Sequence, residues 1–182
     1  MQFRNLALIA ALVCAQGVAV AGDSRFAAPD GQWLPDVNTT RDSAAGFAIT
    51  RAIVVNEVVL RCAALDADLA SRAHAARDDW WARNQLMVEA ANGYVRYLQA
   101  IRQVRHGEEA ARAFYDAVFA EVQQDGDTAV AALFPAGGDD VATCERTVAA
   151  YADGRMDLSA DADQYATLVS VDRDLRTYRG QQ

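Results

Sequence analysis

The sequence predicts an all-α protein, an antiparallel bundle of four to five helices preceded by an irregular N-terminal arm and joined by a single disulfide. Three observations carry that expectation. No proline occurs between Pro35 and Pro135, and the residues between them are rich in Ala, Leu, Arg and Glu, the composition of helices. Apolar residues recur every three or four positions, which aligns them along one face of a helix. Two cysteines, Cys62 and Cys144, fall inside such stripes on distant segments.

Residues 1–21 carry the cation Arg4, an apolar run from Leu6, and Ala19-Val20-Ala21 at the end. This is the pattern of a secretory signal cleaved after Ala21. Gln16 and Gly17 interrupt the run short of the roughly 20 apolar residues a span requires, and Val13 before Cys14 does not fit lipid attachment. The remaining chain is the length of one domain, with no membrane-spanning segment expected. Residues 22–40 read as the arm: Pro29, Gly31 and Pro35 break regular structure, and Phe26, Trp33 and Leu34 would pin it to the body.

The bundle domain covers residues 41–179. Its first helix is expected to start near Asp42 or Ser43, which can cap exposed amides, and to run to about Ala76. Val54, Val58, Cys62, Leu65 and Leu69 form its stripe. Asp78 or Asp79 would cap a second helix, whose seam is Trp80, Asn84, Met87, Ala91, Tyr94, Leu98 and Ile101. Trp81 lies about 100° round the axis, at the seam's edge or beyond it. No glycine marks the turn, so one helix from Asp42 to Val104 is the competing reading, disfavoured by the usual length of helices.

Gly107 stops the second helix, and Glu108 and Glu109 open a third with Ala110, Phe114, Ala117, Val118 and Val122 inward. The third is expected to falter at Asp125-Gly126-Asp127, with a short turn through Leu133 before Pro135, Gly137 and Gly138. Asp139 or Asp140 opens a fourth with Val141, Cys144, Val148 and Tyr151 inward, ending at Gly154. Ser159, Asp161 and Asp163 open a last helix, with Tyr165, Leu168, Val169, Asp172 and Leu175 on one face. Packing the stripes together makes Cys62 and Cys144 neighbours.

Two cysteines left after signal removal allow one intramolecular pairing, the first expectation in an oxidising compartment. The closed loop of about eighty residues corresponds to roughly 4 kcal/mol in the chain-entropy model. A metal site is not expected, because there is no Cys-x-x-Cys and imidazole comes only from His74 and His106. No motif calls for a cofactor.

Loss of Arg4 takes the net charge from −8 to −9, a surface that repels phosphate backbones, so nucleic acid is not expected as a partner. Every basic residue is arginine and alanine abounds, as a GC-rich bacterial genome produces. With the signal, this points to a periplasmic or secreted protein.

The candidate binding residues are Trp80, Trp81, Arg83 and Asn84, since Trp and Arg most often anchor interfaces. Their competing role is internal, Trp80 filling the bundle and Trp81 covering a turn. Asn84 interrupts an apolar seam and needs partners, either to set register or to hold a loop or ligand. Arg51, Arg61 and Asn92 could join Arg83 in a polar pocket between helices. His74 and Asp78 share a helix face but have no nucleophile beside them, and the acidic runs Asp125–Asp127 and Asp157–Asp163 lack the pattern of a calcium loop. Glycine-rich phosphate loops, zinc-protease helices and nucleophile turns are absent.

The leading expectation is a non-enzymatic exported protein that binds another protein or envelope component, in an inhibitor-like or immunity-like role. One alternative is a small-ligand or cofactor carrier with a cavity lined by Trp80, Asn84, Met87 and Tyr94. A second is an enzyme using scattered Asp, Glu and His residues.

Overall fold

The structure is a computed structural model that describes residues 36–180. The signal region 1–21 with Cys14, and Phe26, Trp33 and Leu34 of the arm, lie outside the described residues. Five α-helices and no strand occur among those described: α1 (Thr39–Ala63), α2 (Ala67–His106), α3 (Glu108–Leu133), α4 (Asp140–Ala152) and α5 (Ala162–Arg179). A short 3-10 turn, Leu158–Ala160, separates the last two.

Helix α1 starts three residues before Asp42. Asn38 is its cap, accepting the Arg41 amide on its side-chain oxygen at 3.0 Å, and Asp42 sits in the first turn, where it accepts the Tyr94 hydroxyl at 2.8 Å. Thr39 and Thr40, expected in the arm, are therefore helical. By length and composition α1 is apolar enough to cross a membrane. Its neighbours explain that apolarity: it packs against all four other helices, so its buried residues cover more than half of its circumference.

The α1–α2 boundary differs from the expectation. The chain turns at Ala64–Asp66, where the Asp66 carboxylate accepts the amides of Asp68 and Leu69, and Asp78 and Asp79 lie exposed in the middle of α2. Neither aspartate caps a helix. Leu65 falls in the turn and is 41% exposed, so the stripe of the first helix ends at Cys62, and Leu69 opens the next one. The buried seam of α2 runs Leu69, Ala73, Ala76, Trp80, Asn84, Met87, Ala91, Tyr94 and Leu98, unbroken across the expected boundary. Its first part is hard to see in the sequence because two alanines carry it, and alanine contrasts little with its surroundings.

Gly107, with φ of +87°, makes the sharp turn into α3. Helix α3 does not falter at Asp125-Gly126-Asp127 but runs through to Leu133. Gly126 is buried against α1, and a Cβ there would stand 2.7 Å from Ile53 Cγ2. It is a point of close approach between helices, not a break. Gly46, also helical, has nothing within 4 Å of its would-be Cβ. Gly46→Ala should therefore stabilise by about 0.5–1 kcal/mol through helix propensity. Gly126→Ala should destabilise by about 1–2 kcal/mol, because the clash with a stiff β-branched residue outweighs the same propensity gain. Urea unfolding of the two variants checks the opposite signs.

Contacts along α1 show how the last two helices are arranged. Arg41 pairs with Asp174, Arg51 meets Met156, and Cys62 is bonded to Cys144, so residues rising along α1 oppose residues falling along α4 and α5. Along α2 the order is the same in both partners: Arg72 with Glu145, Arg83 with Asp157, Gly93 against Leu175, and Tyr97 against Tyr178. Helices α4 and α5 thus form one interrupted rod. The architecture is an up-down-up-down bundle whose fourth member is broken near its middle.

Asp139 caps α4 by accepting the Ala142 amide, and Asp161 caps α5 by accepting the Gln164 amide; Ser159 lies in the 3-10 turn instead. Three residues expected inward face outward: Ala117 on α3, and Val141 and Val169 at 50% and 45% exposure. The Cys62–Cys144 bridge is present, with Cα atoms 5.5 Å apart, and both cysteines are fully buried. Since α4 packs mainly on α2, the bridge is its firm attachment to α1.

Candidate functional site

The residues singled out in the sequence meet at the break in the fourth rod. Gly154, with φ of +77°, ends α4 and turns the chain, and Met156, Asp157 and Leu158 then fold back onto α2. Trp80 donates its indole N–H to the Met156 carbonyl at 3.0 Å. Arg83 donates through Nε to Asp157 at 2.7 Å and through Nη2 to the Tyr151 carbonyl. Asn84 donates to Asp157 at 3.0 Å and to the Trp80 carbonyl at 2.8 Å, and its side-chain oxygen accepts the Leu158 amide at 2.8 Å.

These contacts satisfy groups that would otherwise be stranded. Asp157 is 8% exposed, and its charge is met by the Arg83 guanidinium and the Asn84 amide together. The hydrogen bond to the same carboxylate raises the Arg83 pKa above the ordinary guanidinium value. Asn84, 2% exposed, has its amide and carbonyl ends both occupied. Of the two roles weighed for an amide in the seam, the structure gives it the holding of a loop.

Trp81 differs from its neighbour. Trp80 is wholly buried, whereas Trp81 is half-buried, lies edge-on to Trp80 with ring centroids 5.4 Å apart, and donates to Asn56 on α1 at 3.4 Å. Sequence reasoning found Trp80, Arg83 and Asn84 but not Asp157, the residue they surround. A signal was present in Asn84, whose polarity inside an apolar seam requires a partner elsewhere in the chain.

The other candidates do not converge. Arg51 and Arg61 are about 15 Å apart along α1 by helical rise. Arg61 pairs with Asp140 and lies over Phe134, while Asn92 donates to the Val88 carbonyl of its own helix. His74 and His106 are exposed on α2, and Asp78 is paired with Arg77 at 2.8 Å. Asp127 accepts from Gln123, and no group of three His, Cys, Asp or Glu side chains suited to a metal occurs among the described residues. An open depression of about 450 Å³ lies between the start of α1 and α5, lined by Asn38, Thr40, Arg41, Ala166, Thr167 and Ser170. Arg41 faces Asp174 and Ser170 there, so its donors are already engaged.

Burial raises the pKa of three tyrosines: Tyr94 and Tyr151 far above the ordinary phenol value, and Tyr97 to about 12. Tyr94 also donates to Asp42, whose charge disfavours a phenolate beside it. Tyr151 is fully buried, and its hydroxyl has no hydrogen-bond partner among the described residues. No protein-family model, curated protein or solved structure matches this chain.

Proposed function

We propose that the protein is exported to an oxidising compartment and binds another protein or envelope component through the segment 153–161, which α2 holds in place. The observation that carries this reading is the pinned break. A continuous fourth helix would hide the same apolar surface with no buried carboxylate. Instead Trp80, Arg83 and Asn84 fix an irregular segment whose Asp153, Arg155, Ser159 and Asp161 face outward. Loops held by a rigid scaffold are where binding residues concentrate. Trp81 would contribute the exposed part of its ring, and an inhibitor-like or immunity-like role is the concrete form this takes.

Two features support export: the apolar run ending at Ala19-Val20-Ala21, and a disulfide of the kind that persists outside the cytosol. The carrier alternative has less support, because Trp80, Asn84, Met87 and Tyr94 are packed against the core. The acidic surface favours a partner with a basic face, associating more slowly as salt rises.

The test uses the full chain expressed in a bacterial host, with a photoreactive side chain at position 155 or, as a control, at 112 on α3. The expected result is a mature species beginning at Gly22 in the periplasmic fraction and a partner crosslinked through 155 but not 112. Asp153→Arg should weaken that partner at least tenfold and Arg112→Glu should leave it unchanged. Equal crosslinking at both positions, or an unprocessed cytoplasmic chain, would overturn the reading.

A further inference from the structure

We infer that residues 22–35 of this chain bind back onto the end of α2, with Trp33 and Leu34 covering Ile101 and Val104. The place is about 30 Å along α2 from Arg83, so it is separate from the face at 153–161. Tyr97, Ile101 and Val104 follow one another on α2 at spacings of four and three, which puts them within about 60° on one face. Exposure rises along that face: Tyr97 is 7% exposed, Ile101 is half-buried, and Val104 is 88% exposed.

The rods beside this face run out at the same level. Helix α5 ends at Arg179, and Tyr178 lies edge-on to Tyr97 with ring centroids 5.5 Å apart. Helix α1 begins at Thr39, and its Asp42 accepts the Tyr94 hydroxyl at 2.8 Å, so it too starts near the level of Tyr97. Helix α2 continues to His106, about 13 Å further. Its apolar stripe therefore outlasts both neighbours.

The occupant follows from where the chain enters. Asp36 and Val37 lead into α1 at this step: the Asp36 carbonyl accepts Arg41 Nη1 at 3.1 Å, and Val37 packs on the core. Asn38 caps α1, and Pro35 lacks an amide and disfavours a helical Leu34, so the residues before Asp36 do not prolong the helix. An extended chain covers about 10 Å from Val37 to Leu34, the same as the rise from Tyr97 to Val104. Trp33 and Leu34 are the apolar pair within that reach. The charges agree as well: residues 98–106 carry Arg102 and Arg105 and no acid, whereas residues 22–35 carry Asp23 and Asp30 against Arg25. A second copy is a poorer occupant, because Ile101 and Val104 offer far less than the roughly 800 Å² per partner of a stable dimer. A tethered segment needs less area, since its effective concentration is of millimolar order.

The experiment uses the mature chain with a photoreactive side chain at position 104 or, as a control, at the exposed position 141 on α4. Illumination should join 104 to the tryptic peptide Phe26–Arg41 at monomer mass and should not join 141 to it. The Trp33 indole N–H resonance, assigned by its loss in Trp33→Phe, should shift in Val104→Ser and not in Val141→Ser. The thermal midpoint should fall by roughly 3 °C or more in Val104→Ser and by less in Val141→Ser, the reverse of the order set by their exposures of 88% and 50%. Valine and serine have similar helix propensity, so the fall reports lost contact rather than a weaker helix. In a Trp33→Ala background the effect of Val104→Ser should shrink to within about 1 °C. A crosslink from 104 to a second copy, no crosslink to Phe26–Arg41, or a Trp33 resonance indifferent to Val104→Ser would overturn the inference.

Discussion

Replacing both Cys62 and Cys144 by alanine is expected to lower the unfolding free energy by about 4 kcal/mol, the largest effect of any change considered. The bridge closes a loop of 82 residues, and a cross-link of that span removes much of the unfolded chain's freedom. Its structural role adds to the same sign. Helix α4 is thirteen residues long and packs mainly on α2, so without the bridge its contact with α1 is slight. With a urea slope of about 2 kcal/mol per molar, the midpoint should fall by about 2 M.

Reducing the wild-type protein in denaturant and refolding it under dithiothreitol should reproduce the midpoint of the double variant. Thiol titration of the unfolded, unreduced mature chain should find no free sulfhydryl. Two titratable thiols, or a midpoint indifferent to reductant, would mean the bridge does not contribute in this way. The effect ties stability to compartment: in a reducing cytosol the chain would lose this contribution, which accords with the proposed export.

The parts of the fold legible in the sequence were those set by strong local contrast. Gly107 ends α2 and Asp139 opens α4 as their residue types imply, and the pairing of Cys62 with Cys144 follows from stripes that must face one core. The less legible parts depend on partners distant in the chain. Gly126 resembles a helix breaker between two aspartates, yet it exists to let α3 approach Ile53. The Asp66 and Asp78-Asp79 positions carry nearly the same capping signal. Packing chooses Asp66, because only then do Ala73 and Ala76 continue the seam into Trp80. Asp157 was the least visible, since nothing local distinguishes it from the exposed acids around it; its burial is created by the break that it helps to hold.

That dependence sets the second large effect: Asn84→Ala should destabilise the protein by about 2–4 kcal/mol. The substitution leaves the Leu158 amide without its acceptor in buried surroundings and removes one of the donors around Asp157. A double-mutant cycle with Asp157→Ala should give a coupling of about 1–3 kcal/mol, because the two side chains share one hydrogen-bond network. Asn84→Asp provides a sign that a simple packing defect would not. It keeps an acceptor for Leu158 but sets a second carboxylate against Asp157, raising the folded-state pKa of the pair above its unfolded value. Stability lost to that repulsion is then regained below the unfolded carboxylate pKa near 4 and lost as pH rises through the folded value. The deficit of Asn84→Asp against wild type should therefore be larger at pH 7 than at pH 4, whereas that of Asn84→Ala should change less. If Asn84→Ala costs under about 1 kcal/mol with no coupling to Asp157, α2 does not hold the break. Where the cost and coupling are found, the same variant should weaken capture through position 155, which lies outside the Asn84 network, because the segment bearing Arg155 would have lost its anchor.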